Sequence, residues 1–117
     1  MKRTIPRLHY EIINPALFAF TDAAKREIER MRLAFPDKTV DIGWGRSIRV
    51  HGKDGTSQNL GDRIIVGFAT KDELDLDDQA AMISVDGHEI AINIPADATT
   101  SDSPVIDADS IGRLVLR

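Results

Sequence analysis

Four residues on one short stretch carry the side chains best suited to bind something: Trp44, Arg46, Arg49 and His51. An indole between guanidiniums can stack on a ring, and the cations beside it can hold an anion. A second arrangement centres on His51, with Asp54 or Asp62 as its orienting acid, in the pattern of a base and its carboxylate. Around it only Ser47, Thr56 and Ser57 offer hydroxyls, and no nucleophile signature accompanies them. An enzyme therefore ranks below a binding domain, and no residue is assigned a catalytic role.

Metal chemistry finds less support. The chain has no cysteine, which removes thiolate sites and disulfides by residue type. His9, His51 and His88 are scattered, without the HExxH spacing of a zinc helix. The acidic run Asp72, Glu73, Asp75, Asp77, Asp78 lacks the internal Gly of a calcium loop, and its twelfth position is Ile83 rather than Glu. It reads as a solvated connector. The expectation is no metal and no cofactor.

Nucleic acid is disfavoured as well. Gly52-Lys53-Asp54-Gly55 matches the GXXG pattern of a backbone-clamping loop, but that loop joins two helices and here it follows a strand. The formal net charge of −4 also opposes phosphate. That charge is unevenly spread. Residues 1–50 hold ten Lys/Arg against six acids, and residues 51–117 hold five against thirteen. The two halves either neutralise each other within one fold or complement each other between copies.

These side chains need elements to position them. Thr21 is an N-cap with Asp22 in the first turn, and Pro36 ends the run. Between them Ala24, Ile28, Met31 and Phe35 form one apolar stripe, so this helix should lie on a sheet. From Val40 to Val50 the period becomes two, with Ile42, Trp44, Ile48 and Val50 on one face. Arg46 interrupts that face, and the acids Asp62, Asp72 and Glu73 are its candidate partners. Gly52 to Gly61 reads as a loop turning at Asp54-Gly55, followed by Ile64 to Ala69 as a central strand. Leu8 to Ile13 and Ile111 to Leu116 read as short strands, and Pro95 to Pro104 as a polar loop.

The strongest local signal is Asp86-Gly87, the pair preferred in a two-residue hairpin turn. That turn sets Val85 opposite His88, Ile83 opposite Ile90 and Ala81 opposite Ile92, all on one face. Turn chemistry and apolar pattern agree on the register. The fold class expected is α+β, one amphipathic helix on a mainly antiparallel β-sheet built from hairpins. Residues 1–117 form a single domain, since 117 residues suffice for one core and no linker divides them.

Met1-Lys2-Arg3 could open a secretion signal, but Thr4 to Glu11 carries Pro6, Arg7, His9 and Glu11 and has no apolar centre. No run approaches the roughly 20 apolar residues of a membrane span. A cytoplasmic, membrane-free protein is expected.

Three segments, FTDAAKREIERM, IIVGFATKDELDLDDQ and ISVDGHEIAI, resemble the HesB-like, A-type iron–sulfur carrier family. The resemblance runs from Phe20 onward, over about three-quarters of the chain. In that family a cysteine-bearing loop would fall within Ser47 to Gly61, and a CxC pair lies near the C-terminus. Neither is present, so the resemblance implies the fold without the cluster. The function expected is a small non-catalytic soluble domain acting through protein–protein contacts, as a homo-oligomer or with a partner protein. The alternative is a small-molecule or anion binder using the Trp44/Arg46/Arg49/His51 strand.

Overall fold

The computed structural model describes residues 11–75 and 81–117. The helix forms where the capping signals place it. α1 runs Asp22–Ala34, the Thr21 side chain accepts from the Ala24 N–H at 3.1 Å, and Phe35 closes the last turn on the Met31 carbonyl. Ala24 and Ile28 are buried, and Glu27–Arg30 and Glu29–Arg32 pair along the wet side. Phe35 is half exposed, but its ring lies 4.3 Å from that of Phe68 and ties the helix end to a strand.

Among the described residues seven strands build two sheets: β1 (Ala19–Phe20), β2 (Thr39–His51), β3 (Ser57–Ala69), β4 (Ala81–Val85), β5 (His88–Ile92), β6 (Val105–Ala108) and β7 (Leu114–Leu116). The larger has the order β3-β2-β5-β4 and the smaller β1-β6-β7. α1 packs against β2 and β6, so it bridges the sheets. The fold class is α+β, as expected. The sheets are mixed: β2 runs parallel to β5, and β1 to β6. The core collects Val40 and Ile42 of β2, Ile90 and Ile92 of β5, Ile94, Ile106 and Leu114, each 5% exposed or less.

The β4–β5 hairpin has the expected register, with Ala81, Ile83 and Val85 facing Ile92, Ile90 and His88. Asp86 (φ 51°) and Gly87 (φ 83°) both take positive φ, as a type I′ turn requires.

Four sequence expectations need correction. β3 is an edge strand rather than a central one. Its apolar run serves two faces: Ile64 turns into the core, while Ile65, 45% exposed, covers Gly45 on the outer side. The loop is shorter than Gly52–Gly61. Gly52 donates to the Thr56 carbonyl at 2.8 Å and pairing resumes at Ser57. Residues 111–113 turn, with Gly112 at φ 84°, before β7 begins at Leu114. Of Leu8 to Ile13, residues 8–10 lie outside the described residues, and Ile12 makes an isolated bridge to Pro95. β6 was not anticipated. Its four residues follow Pro104 and earn their place by parallel pairing with β1, more than eighty residues away in sequence.

A short helix, α2 (Lys71–Asp75), occupies the start of the acidic connector. Thr70 and Glu73 cap it reciprocally: the Glu73 N–H donates to Thr70 Oγ1, and Thr70 N–H and Oγ1 donate to Glu73 Oε1. Asp77 and Asp78 lie outside the described residues.

Thr21 has a second task. Its Oγ1 donates to Asp107 Oδ1 at 2.7 Å, joining the start of α1 to β6. That bond, the Ala108 N–H and the Arg117 guanidinium hold the Asp107 carboxyl down to about 2. A carboxylate with a lowered folded pKa contributes stability above its ordinary pKa and loses it as pH falls through the folded value. Asp107→Asn should therefore lower the melting temperature at pH 7. The deficit should shrink as pH drops from about 4 towards about 2. A deficit that stays constant over that range would contradict this role for the charge.

Candidate functional site

Strand β2 does not keep its alternation. Gly45 pairs with Arg63, but the next pair is Ile48 with Gly61, so Arg46 and Ser47 together oppose Asp62. This is a β-bulge. Ser47 takes φ 51° and donates its N–H to Asp62 Oδ1 at 2.9 Å. The extra residue reverses the faces, and Ile48 joins Gly45 and Ile65 on the side opposite Trp44. A Cβ at Gly45 would stand 2.6 Å from Ile48 Cδ1. The expected face of Ile42, Trp44, Ile48 and Val50 is thus broken after Trp44.

Arg46 breaks the apolar pattern because it marks this bulge. Its side chain is half exposed, with NH2 donating to Asp97 Oδ1 at 2.5 Å and NH1 3.8 Å from Asp62 Oδ2. Asp62 was a named candidate and Asp97 was not. Asp72 and Glu73 sit on α2. At this exposure such a pair is worth at most about 1 kcal/mol. Arg49 and His51 lie farther out, opposite Asn59 and Ser57, where β2 and β3 form a two-stranded ribbon. At about 3.3 Å per residue they stand roughly 16 and 23 Å along the strand from Trp44. The four residues are therefore spread along the ribbon rather than gathered.

The second arrangement is not assembled either. Asp54 Oδ1 is taken by the Thr56 N–H and hydroxyl, which hold its carboxyl below the usual range. Asp62 is engaged at the bulge, about 16 Å along β3 from the partner of His51. Among the described residues no three His, Asp or Glu side chains group as a metal site. None of the described helices is long and apolar enough to cross a membrane.

Of the four, Trp44 lines a cleft. A cleft of about 460 Å³ opens between the β3 edge of the larger sheet and the β6–β7 turn of the smaller one. Trp44, Ile64 and Val66 line it from one sheet, Leu114 to Leu116 from the other, and Met31 from α1. Asp62, Arg63, Asp109 and Arg113 supply its charges. The two sheets meet through α1, which packs on β2 and β6, and through β7, which packs on the edge strand β3.

Its polar groups differ in how well they are satisfied. Asp109 accepts from the Arg113 and Ile111 N–H groups and from Arg113 Nε at 2.8 Å. The Arg113 backbone and side chain, with the Ile111 N–H, hold its carboxyl below the usual range. Two donors stay without acceptors: Trp44 Nε1 and Arg63 Nε are buried and make no hydrogen bond. Arg63 has one contact, from NH2 to the Leu60 carbonyl at 3.3 Å, and no described carboxylate within ion-pair distance. A buried donor left unsatisfied costs about 1–3 kcal/mol, so the pair is anomalous unless something answers it.

Sequence reasoning found Trp44 and placed Met31 on the helix stripe, but missed Arg63 and the β7 leucines. Only the cross-strand register brings Arg63 beside Gly45, and only tertiary packing brings β7 to β3. The visible signal was a lone Arg at the head of an otherwise apolar run.

The chain matches no family model, no curated protein and no solved structure. Its likeness to the HesB-like carriers rests on the three segments alone.

Proposed function

We propose that this domain binds a small molecule in the Trp44 cleft. The observation that carries the reading is the coincidence of an apolar cleft with a buried indole N–H that no protein group accepts. The volume falls in the range of small-molecule sites, about 300–1,000 Å³, which combine apolar walls with a few unpaired polar groups. Trp44 is the sole tryptophan, so its emission reports on this place only. A neutral apolar dye, N-phenyl-1-naphthylamine, should bind with a stoichiometry of one and accept energy from Trp44. Val115→Phe, which fills the cleft from β7, should weaken that transfer at least fivefold. Binding without transfer, or transfer indifferent to the substitution, would place the dye elsewhere and defeat the reading.

A second reading, action through protein contacts, is favoured by the thirteen-residue edge strand β3. No described strand pairs with its outer edge, and Ile65 and Val50 are half exposed on the same hairpin. An edge of this length is a template for strand addition. Light scattering over a hundredfold concentration range should then give a mass that doubles, and Ile65→Lys should abolish the doubling. A constant monomer mass argues against self-pairing by this edge.

A further inference from the structure

We infer that the small molecule of the Trp44 cleft is a short extended peptide, taken up as an added strand on the free edge of β3. The inference rests on the cleft reading above and names the chemical class of the ligand.

The ladder bonds of β2 show which way the backbone of β3 points. The Asn93 N–H donates to the Ile42 carbonyl, and the parallel register sets Ile42 opposite Ile92, so the Ile42 N–H and carbonyl are directed at β5. Ile42 and Val66 therefore exchange no hydrogen bonds across the β2–β3 ladder, and by the same alternation neither do Trp44 and Ile64. The backbone groups of Ile64 and Val66 point away from β2, while those of Arg63 and Ile65 face Gly45 and Gly43. β7 has the same arrangement. Val105 and Arg117 exchange both of their backbone bonds, so Leu116 and Leu114 turn their backbone groups away from β6. No described strand pairs with either edge.

These edges border the cleft. It touches successive residues of both strands, Asp62 to Ile64 of β3 and Leu114 to Leu116 of β7. Side chains alternate between faces along a strand, so contact with each residue in turn is contact with the strand edge. The walls thus carry a backbone donor and acceptor at every second residue. Ile64 and Leu114 are 8% and 5% exposed, and backbone groups in such places need partners. A ligand with one polar head group would answer a single position. Another extended polypeptide offers donors and acceptors at the same two-residue repeat, and this is how peptides extend a sheet.

The charges at the rim call for no charged ligand. Asp109 pairs with Arg113 at 2.8 Å, and Asp62 is engaged by Arg46 and the Ser47 N–H. Arg63 carries its side chain on the other face, with Gly45. The cleft follows β3 from Asp62 to Val66, roughly 13 Å at about 3.3 Å per residue, which is room for about four residues of a strand. Alternate side chains of that strand would share the face of Trp44, Ile64 and Val66, so they should be apolar.

The test uses a capped, uncharged tetrapeptide that alternates valine and threonine, and the same peptide with every amide nitrogen methylated. Both keep the side chains and carbonyls, but the second cannot donate. The first should displace the naphthylamine dye, and the second should do so at least tenfold more weakly. Hydrogen exchange in the ¹⁵N-labelled protein should show the Ile64 and Val66 amides slowed at least tenfold by the saturating first peptide. Arg63 and Ile65, already bonded to β2, should change less than twofold. Failure of the first peptide to displace bound dye, or equal displacement by the two, overturns the strand assignment while leaving the cleft reading intact. Displacement without protection of Ile64 and Val66 overturns the assignment to β3. Protection of those two amides that rises with protein concentration alone gives the edge to a second copy and overturns the peptide. Failure of the dye itself to bind removes the cleft reading and this inference together.

Discussion

Ile42→Ala should destabilise the protein by about 3–4 kcal/mol, the middle of the range for deleting a fully buried aliphatic side chain. Ile42 is completely buried on β2, with Val66 of β3 on one side and Ile92 of β5 on the other. It lies where the antiparallel and parallel pairings of β2 meet. Its carbonyl also accepts from the Asn93 N–H at 2.8 Å, which carries the chain beyond β5. Neighbours held by ladder bonds on both sides can close little of the space the side chain leaves, so the cavity term adds to the lost burial. Urea unfolding followed by circular dichroism gives the value from the shifted midpoint at unchanged slope. A loss below about 1 kcal/mol would mean that this strand is not at the centre of the fold.

Gly87→Val should cost about 2–3 kcal/mol, for a reason unrelated to packing. Gly87 holds φ 83° in the β4–β5 turn, and a Cβ placed there would meet nothing within 4 Å. The penalty is conformational: a β-branched residue is forced into the left-handed region. Asp86 beside it, at φ 51°, occupies a region that Asn and Asp tolerate, so Asp86→Asn is expected to change stability little. Thermal unfolding of the two variants separates a turn that needs positive φ from one that merely needs a polar residue. If Gly87→Val matched the unaltered protein, the type I′ turn would be wrong.

This hairpin shows which parts of the molecule could be read from its residues. Asp86-Gly87 determines the turn, the turn determines the register, and the alternation of Ile83, Val85, Ile90 and Ile92 confirms it locally. The helix was legible for the same reason, since Thr21, Asp22 and Pro36 bound it within one segment. β6 and the edge position of β3 were not legible. Both depend on which strand lies beside which, a choice made by packing between distant segments. The bulge lies between these cases. Arg46 announced that the alternation failed, but the sequence around it did not say that Ser47 would turn to positive φ against Asp62. That one extra residue separates Ile48 from Trp44 and leaves the indole facing the cleft without its expected apolar companions on the strand.

The same distinction explains the site. A search along one strand gathers Trp44, Arg46, Arg49 and His51, because neighbours in sequence are all it can compare. The fold spreads the last two along a ribbon and gives Arg46 to Asp97 and Asp62. In their place it supplies Arg63 from the paired strand, Met31 from the helix and the β7 residues from the other sheet. The indole is the point common to both views.

The central claim is that the Trp44 indole N–H lies in a ligand site. With a single tryptophan, the nitrogen–proton correlation spectrum of the ¹⁵N-labelled protein contains one indole cross-peak, assigned without mutagenesis. Titration with N-phenyl-1-naphthylamine should move that peak, and the movement should saturate together with energy transfer from Trp44 to the dye. A peak that stays in place while the dye binds would contradict the account.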